Sequence, residues 1–190
     1  MDDRADWGSA EEPVAAHALA EQHLDRAAYE RTRGVAQQAA RLAIPTHLAR
    51  ADRARLLAAA WLHAVGPAPL PQLGAARALR AAGHVGLASI VAYSGGALVE
   101  CGRRGMAPLA DEFAPPLGDL ARAGRLLDIA IVTTGADGER CAPAARLRAL
   151  AASLGPGDPR VVATVALLGA MADDPMARAL VEGVVPRATA

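Results

Sequence analysis

The chain has 190 residues, enough for one domain with a sizeable core, and 53 % of them are apolar. Twenty basic residues, all arginine, balance twenty acidic ones; a formal net charge of zero excludes a general nucleic-acid surface, which needs a concentrated basic excess. Only 3 % of residues are aromatic while Ala and Leu abound, a composition that favours helices over strands and so an all-α fold.

Residues 1–12 are acidic and polar and read as a disordered lead-in, without the apolar segment of a signal peptide. Pro13 suits a helix start, and the first helix is expected to run to about Ala27. Tyr29 to Ile44 reads as a second, with Val35, Ala39 and Leu42 at helical spacing and Pro45 as its stop. Asp52 is the expected N-cap of a third helix, Arg53 to Val65, whose apolar stripe is Leu56, Leu57, Ala60, Trp61 and Ala64. Gly66-Pro67-Ala68-Pro69 breaks it. Pro71 to Ala82 follows, closed by Gly83, and Val85 to about Gly102 continues in helix, weakened at Ser94-Gly95-Gly96.

Pro115-Pro116 marks a loop before a helix over Leu117 to Thr133 and the turn Thr134-Gly135-Ala136-Asp137-Gly138. Pro143 to Leu154 is helical, Gly155 to Pro159 is a second turn, and a last helix starts near Pro159, with a tail over 183–190. The expectation is one compact all-α domain over 13–182, built of roughly seven helices, with no strand and no internal repeat. Cys101 and Cys141 lack metal spacing and suit a reducing compartment. The most apolar run, Val161 to Met171, is too short to span a bilayer, so a soluble cytoplasmic protein without membrane contact is expected. Exclusive use of arginine reads as the coding bias of a GC-rich genome.

Trp61-Leu62-His63-Ala64-Val65-Gly66 resembles the signature of HD-domain phosphohydrolases, usually Leu-His-Asp-Ile-Gly. Other segments similar to small bacterial HD proteins occur in the same order. They are Arg31-Thr32-Arg33-Gly34-Val35 before the signature, then Ala82-Gly83-His84 and Val91-Ala92-Tyr93-Ser94-Gly95 after it. Ile131-Val132-Thr133-Thr134-Gly135-Ala136-Asp137-Gly138 is the most specific match, and Gly155-Pro156-Gly157-Asp158 looks like a further family loop. The resemblance covers roughly residues 25–180 and implies an HD-type helical bundle. In that family a divalent metal, held by histidines and aspartates, lowers the pKa of a bound water and neutralises a substrate phosphate.

The ligands that the resemblance implies are mostly lost. The first His position holds Arg31, the doublet His is kept as His63, its Asp is Ala64, and the last Asp is Ile131; accessory histidines fall on Pro71, Tyr93 and Ser94. A lone imidazole beside an arginine is a poor divalent site, so no metal and no cofactor is expected. His63 is either a functional remnant or a helix-end histidine satisfied by a backbone carbonyl. Arg31 either replaces the metal as a fixed cation or leans out to solvent. Ile131 reads as core filling, Asp128 as a remote stand-in ligand, Glu100 and Arg103 as a surface pair, Cys101 as inert packing and Asp137-Gly138 as a structural turn.

The function implied is a catalytically inactive pseudoenzyme that binds a small anion through Arg31, His63, Tyr93 and Ser94, or that docks a protein partner. The alternatives are a metal-independent enzyme using His63 or Tyr93, and a residual metal-dependent phosphohydrolase with substitute ligands.

Overall fold

The computed structural model describes residues 7–184, and among them it is helical with no named strand. Asp25 divides the first expected helix: its carboxylate accepts the Ala28 N–H at 2.8 Å and caps a new helix. Helix α1 is therefore Pro13–His23 and α2 is Arg26–Ala43. Helix α3 is Arg50–Leu62 and starts ahead of Asp52, which sits in its first turn and bonds Arg55 at 3.2 Å rather than capping. A carboxylate there still suits the positive end of the helix dipole. Helix α4 is Pro71–Ala81, and Gly83, at φ 91°, turns the chain out of it.

The next apolar stretch divides into α5, Val85–Tyr93, and α6, Ala97–Arg103, at a kink where Gly95 and Gly96 adopt φ 66° and 79°. A Cβ on Gly96 would also lie 2.9 Å from the Ala163 carbonyl oxygen, so both conformation and contact require glycine. Taken through this kink, Val85–Arg103 is long and apolar enough to cross a membrane, but 56 % of that stretch is buried inside the fold, where it supplies the core residues Leu87, Ile90 and Val91. The short α7, Leu109–Glu112, precedes α8, Gly118–Val132. Then come α9, Pro143–Leu154, α10, Pro159–Asp173, and α11, Pro175–Val184.

Helices α2, α3, α5 and α8 pack on one another at the centre. Leu56, Leu62, Leu87, Leu126 and Leu127 are fully buried there. Each such side chain contributes roughly 1.5–3 kcal/mol of transfer free energy. Helix α9 buries no residue completely and lies against α10 and α8 at the edge. Of the expected lead-in, 1–6 lie outside the described residues. Trp7–Ser9 form a short 3-10 turn and Ala10 is buried in the core, so the chain is folded from Trp7 onward. Most of the expected tail, 185–190, also lies outside the described residues, and α11 runs past its expected end at 182.

One long-range contact joins two of the quoted motifs. A Cβ on Gly34 of α2 would collide with the Gly138 carbonyl, and a Cβ on Gly138, at φ 83°, would collide with the Glu30 carbonyl. The turn after α8 is thus pressed backbone to backbone onto α2. Thr133 and Thr134 hold it from below by donating their hydroxyls to the carbonyls of Ile129 and Ala130, at 2.6 and 2.7 Å. Asp137 accepts the Glu139 N–H across its tip at 3.0 Å.

Candidate functional site

The contact between α2 and the turn sets Arg31 beside the end of α8, and the end of α3 delivers His63 and Ala64 to the same place. Together they open on a cavity of about 210 Å³ that Ile131 and Val132 of α8 also line. Pro71 and Gln72, at the start of α4, form one wall, and Ser94 and Gly95 of the kink another. Helices α9 and α10 contribute Arg146, Leu150, Arg160 and Thr164, and α6 contributes Glu100.

His63 bonds the Ala60 carbonyl through Nδ1 at 2.8 Å. A carbonyl only accepts, so Nδ1 carries the proton and Nε2 keeps its lone pair. Nε2 is buried and has no partner. Burial, and then the positive charge of Arg31, push the imidazole down to about 4, so at neutral pH it is an uncharged acceptor.

Arg31 is half-buried, and its Nε is buried without a partner. Burial first, and the charge of Arg146 second, push its guanidinium down to about 10; it remains a cation at neutral pH. Burial lowers Arg146 as well. Neither guanidinium pairs with a carboxylate among the described residues. Arg160 leans on Asp158 at 3.2 Å. Glu100, the one carboxylate lining the cavity, is buried and held by Arg104 at 2.7 and 2.9 Å. The cavity therefore carries an uncompensated positive charge.

The donors present do not fit the divalent metal that the HD resemblance implies. They amount to one imidazole nitrogen and a carboxylate already engaged by Arg104, with the Arg31 cation alongside. Among the described residues no cluster of three or more His, Cys, Asp or Glu could hold a metal ion.

Arg31, His63 and Ser94 line the same cavity, and so do Ala64, Pro71 and Ile131. Ser94 donates its hydroxyl to the Val91 carbonyl at 2.8 Å, leaving its oxygen to accept. His63 is the helix-end histidine bonded to a backbone carbonyl at one nitrogen, and its other nitrogen is left an open acceptor. Arg31 lines the cavity instead of leaning to solvent. Ile131 is buried, yet it also lines the cavity, so it fills core on one side only.

Tyr93 does not belong to this group. It points the other way, donating its hydroxyl to the Phe113 carbonyl at 2.9 Å and lining a neighbouring crevice. Asp128 also lines that crevice and not the Arg31 cavity. The expected surface pair of Glu100 with Arg103 is replaced by the buried pair with Arg104. At four residues the i,i+4 spacing brings Arg104 onto the inward face while Arg103 stays exposed. Arg146, Arg160, Gln72 and Thr164 went unnoticed in the sequence. The available signal was Arg146 sharing an inward stripe with Leu150, four residues on, in an otherwise weakly amphipathic helix.

Searches for relatives leave this geometry to stand on its own: no protein-family model, no curated protein and no solved structure matches the chain.

Proposed function

We propose that the chain is a degenerate HD-type domain that works by binding a small anion, not by metal-dependent hydrolysis. The observation that carries this reading is the pair of guanidinium groups, Arg31 and Arg146, desolvated in one small cavity with no carboxylate to balance them. Two like charges partly removed from water repel, and an anion between them turns that cost into two charge-assisted interactions. Guanidinium forks match the oxygens of phosphate or carboxylate in pairs.

The remaining lining narrows the ligand. Neutral His63 Nε2 needs a donor, so a favoured ligand carries a hydroxyl, or a protonated phosphate oxygen, next to its charge. At about 210 Å³ the cavity is smaller than typical drug-sized sites of ~300–1,000 Å³. A phosphate or small phosphate monoester fits that space better than a nucleotide. An imidazole held down to about 4 is a weak general base near neutral pH, which favours binding over turnover.

The HD lineage is supported by placement. Positions 31, 63, 64 and 131, which the resemblance assigns to the primary ligands, all line one cavity although they come from two helices and the end of a third. The two free cysteines are in keeping with a reducing, cytoplasmic setting.

The test is a thermal-shift screen of inorganic phosphate, small phosphate monoesters and small hydroxycarboxylates. A ligand that binds only the native state raises the melting temperature with its concentration. The expected hits stabilise the wild type and lose their effect in Arg31→Gln and in Arg146→Gln. Hits indifferent to both substitutions would place binding elsewhere and remove the basis for the proposal.

A further inference from the structure

Behind the Ser94-Gly95-Gly96 kink lies a second crevice, of about 340 Å³, between α5, α6, α8 and α10. Its walls are almost entirely apolar: Ile90 from α5, Leu98 and Val99 from α6, Pro116, and Ala163 and Leu167 from α10. Asp128 of α8 is the one carboxylate that lines it. One carboxylate oxygen, Oδ1, accepts the Gly95 N–H at 2.7 Å, which fixes the side chain against the kink. No arginine or histidine among the described residues pairs with it. Arg125, one turn earlier on α8, also lines the crevice, but its guanidinium reaches to Asp174 at 3.7 Å.

We infer that this crevice is a binding site for a small amphipathic ammonium ion, with Asp128 as the counter-charge and the apolar walls as the seat of its hydrocarbon part. An anionic ligand would meet an unpaired carboxylate, and a purely apolar one would leave it desolvated without compensation. A primary alkylammonium supplies both the charge and the donors that the second carboxylate oxygen lacks. The crevice meets the Arg31 cavity at Ser94 but shares no charged residue with it, and the charge there is of the opposite sign, so this inference does not rest on anion binding there.

Acidity follows the same logic. Desolvation raises the Asp128 carboxyl to about 7, opposed by the Gly95 bond. Among the described residues that line the crevice, the other ionisable groups are Arg125 on its own helix and Tyr93 on α5; α6, α10 and Pro116 bring none. A primary amine stays protonated to about pH 10. Ammonium binding then requires the ionised carboxylate and weakens on acidification, by about thirtyfold between pH 8.5 and 5.5.

The experiment titrates n-hexylamine into the intact protein at pH 8.5, following amide NMR shifts, with hexanol and hexanoate as controls. Saturable binding of the amine alone is expected, with shifts at Gly95, Ala163 and Leu167, and at least a tenfold loss in Asp128→Asn. That variant keeps an acceptor for the Gly95 N–H. A second variant, Ala166→Trp, starts from an exposed lining residue, fills the crevice from its rim and should block binding without touching the core. Equal binding of hexanol, shifts centred on Arg31, unchanged affinity in both variants, or no saturable binding would each overturn the assignment.

Discussion

Arg31→Met removes one of the two unpaired guanidinium charges that line the cavity while keeping most of the side-chain stem. The cost of holding the native guanidinium can be scaled from its environment, which lowers it from 12.5 to about 10. At 1.36 kcal/mol per pKa unit this corresponds to an upper bound on the order of 3 kcal/mol of native-state destabilisation. The sign is fixed: a base whose folded pKa is depressed costs stability wherever it is still charged in the fold. Between pH 5 and 9 that cost is constant. Partial exposure and lost stem contacts reduce the net gain, so Arg31→Met should be about 1–2 kcal/mol more stable than the wild type in anion-free buffer. Urea denaturation at pH 7.5 measures this directly. Adding phosphate should stabilise the wild type alone and close the gap. If Arg31→Met is instead destabilised in anion-free buffer, the guanidinium is a structural element of the native fold and the reasoning fails.

Asp128→Asn should track pH in the opposite way to an ordinary surface carboxylate. The wild-type carboxyl is raised from 3.8 to about 7, so its favourable contribution is full below pH 3.8 and is lost by pH 7; relative to wild type, the variant should gain up to about 4 kcal/mol across that window, read by denaturation at pH 4 and pH 8. His63 should remain neutral down to about pH 4 with its proton on Nδ1, as nitrogen-detected NMR can show, and bound phosphate should raise its titration point toward the ordinary value. Gly34→Ala should cost several kcal/mol, on the order of ~3 or more, because the new Cβ meets the Gly138 backbone, and the loss should appear in the urea midpoint. The combined variant Arg31→His, Ala64→Asp, Ile131→Asp, with native His63, should bind Mn or Ni by calorimetry and lose that binding in His63→Ala; a folded variant that binds neither would break the positional correspondence with HD ligands.

Much of the helical framework was readable because its punctuation is local. Pro71, Gly83, Pro143 and the Gly155–Pro159 turn fix boundaries through backbone sterics alone, and α9 spans Pro143–Leu154 as expected. Asp25 was missed as a boundary because a single capping carboxylate leaves little trace in a run of good helix formers. The sequence alone suggests Asp52 as a cap, but the choice between capping and a first-turn ion pair with Arg55 depends on where the preceding loop releases the chain. The membership of the cavity was legible for Arg31, His63, Ser94 and Ile131 through the motif order. For Arg146 the one mark is its four-residue spacing from Leu150, and Arg160 carries none; both reach the cavity on α9 and α10 by tertiary packing. Tyr93 and Ser94 are neighbours in sequence, yet Ser94 lines both cavities while Tyr93 lines only the crevice, since the helix turns by about 100° between them and the kink follows at once.

The central claim is that Arg31 and Arg146 form one anion site, and isothermal calorimetry of inorganic phosphate and a small phosphate monoester at low ionic strength tests it most directly. The account predicts one saturable site per chain, weakened at least tenfold in Arg31→Gln and in Arg146→Gln. In the double variant the losses should not add, as expected for two groups sharing a ligand. Affinity that is absent in the wild type, or unchanged in both single variants, would contradict it.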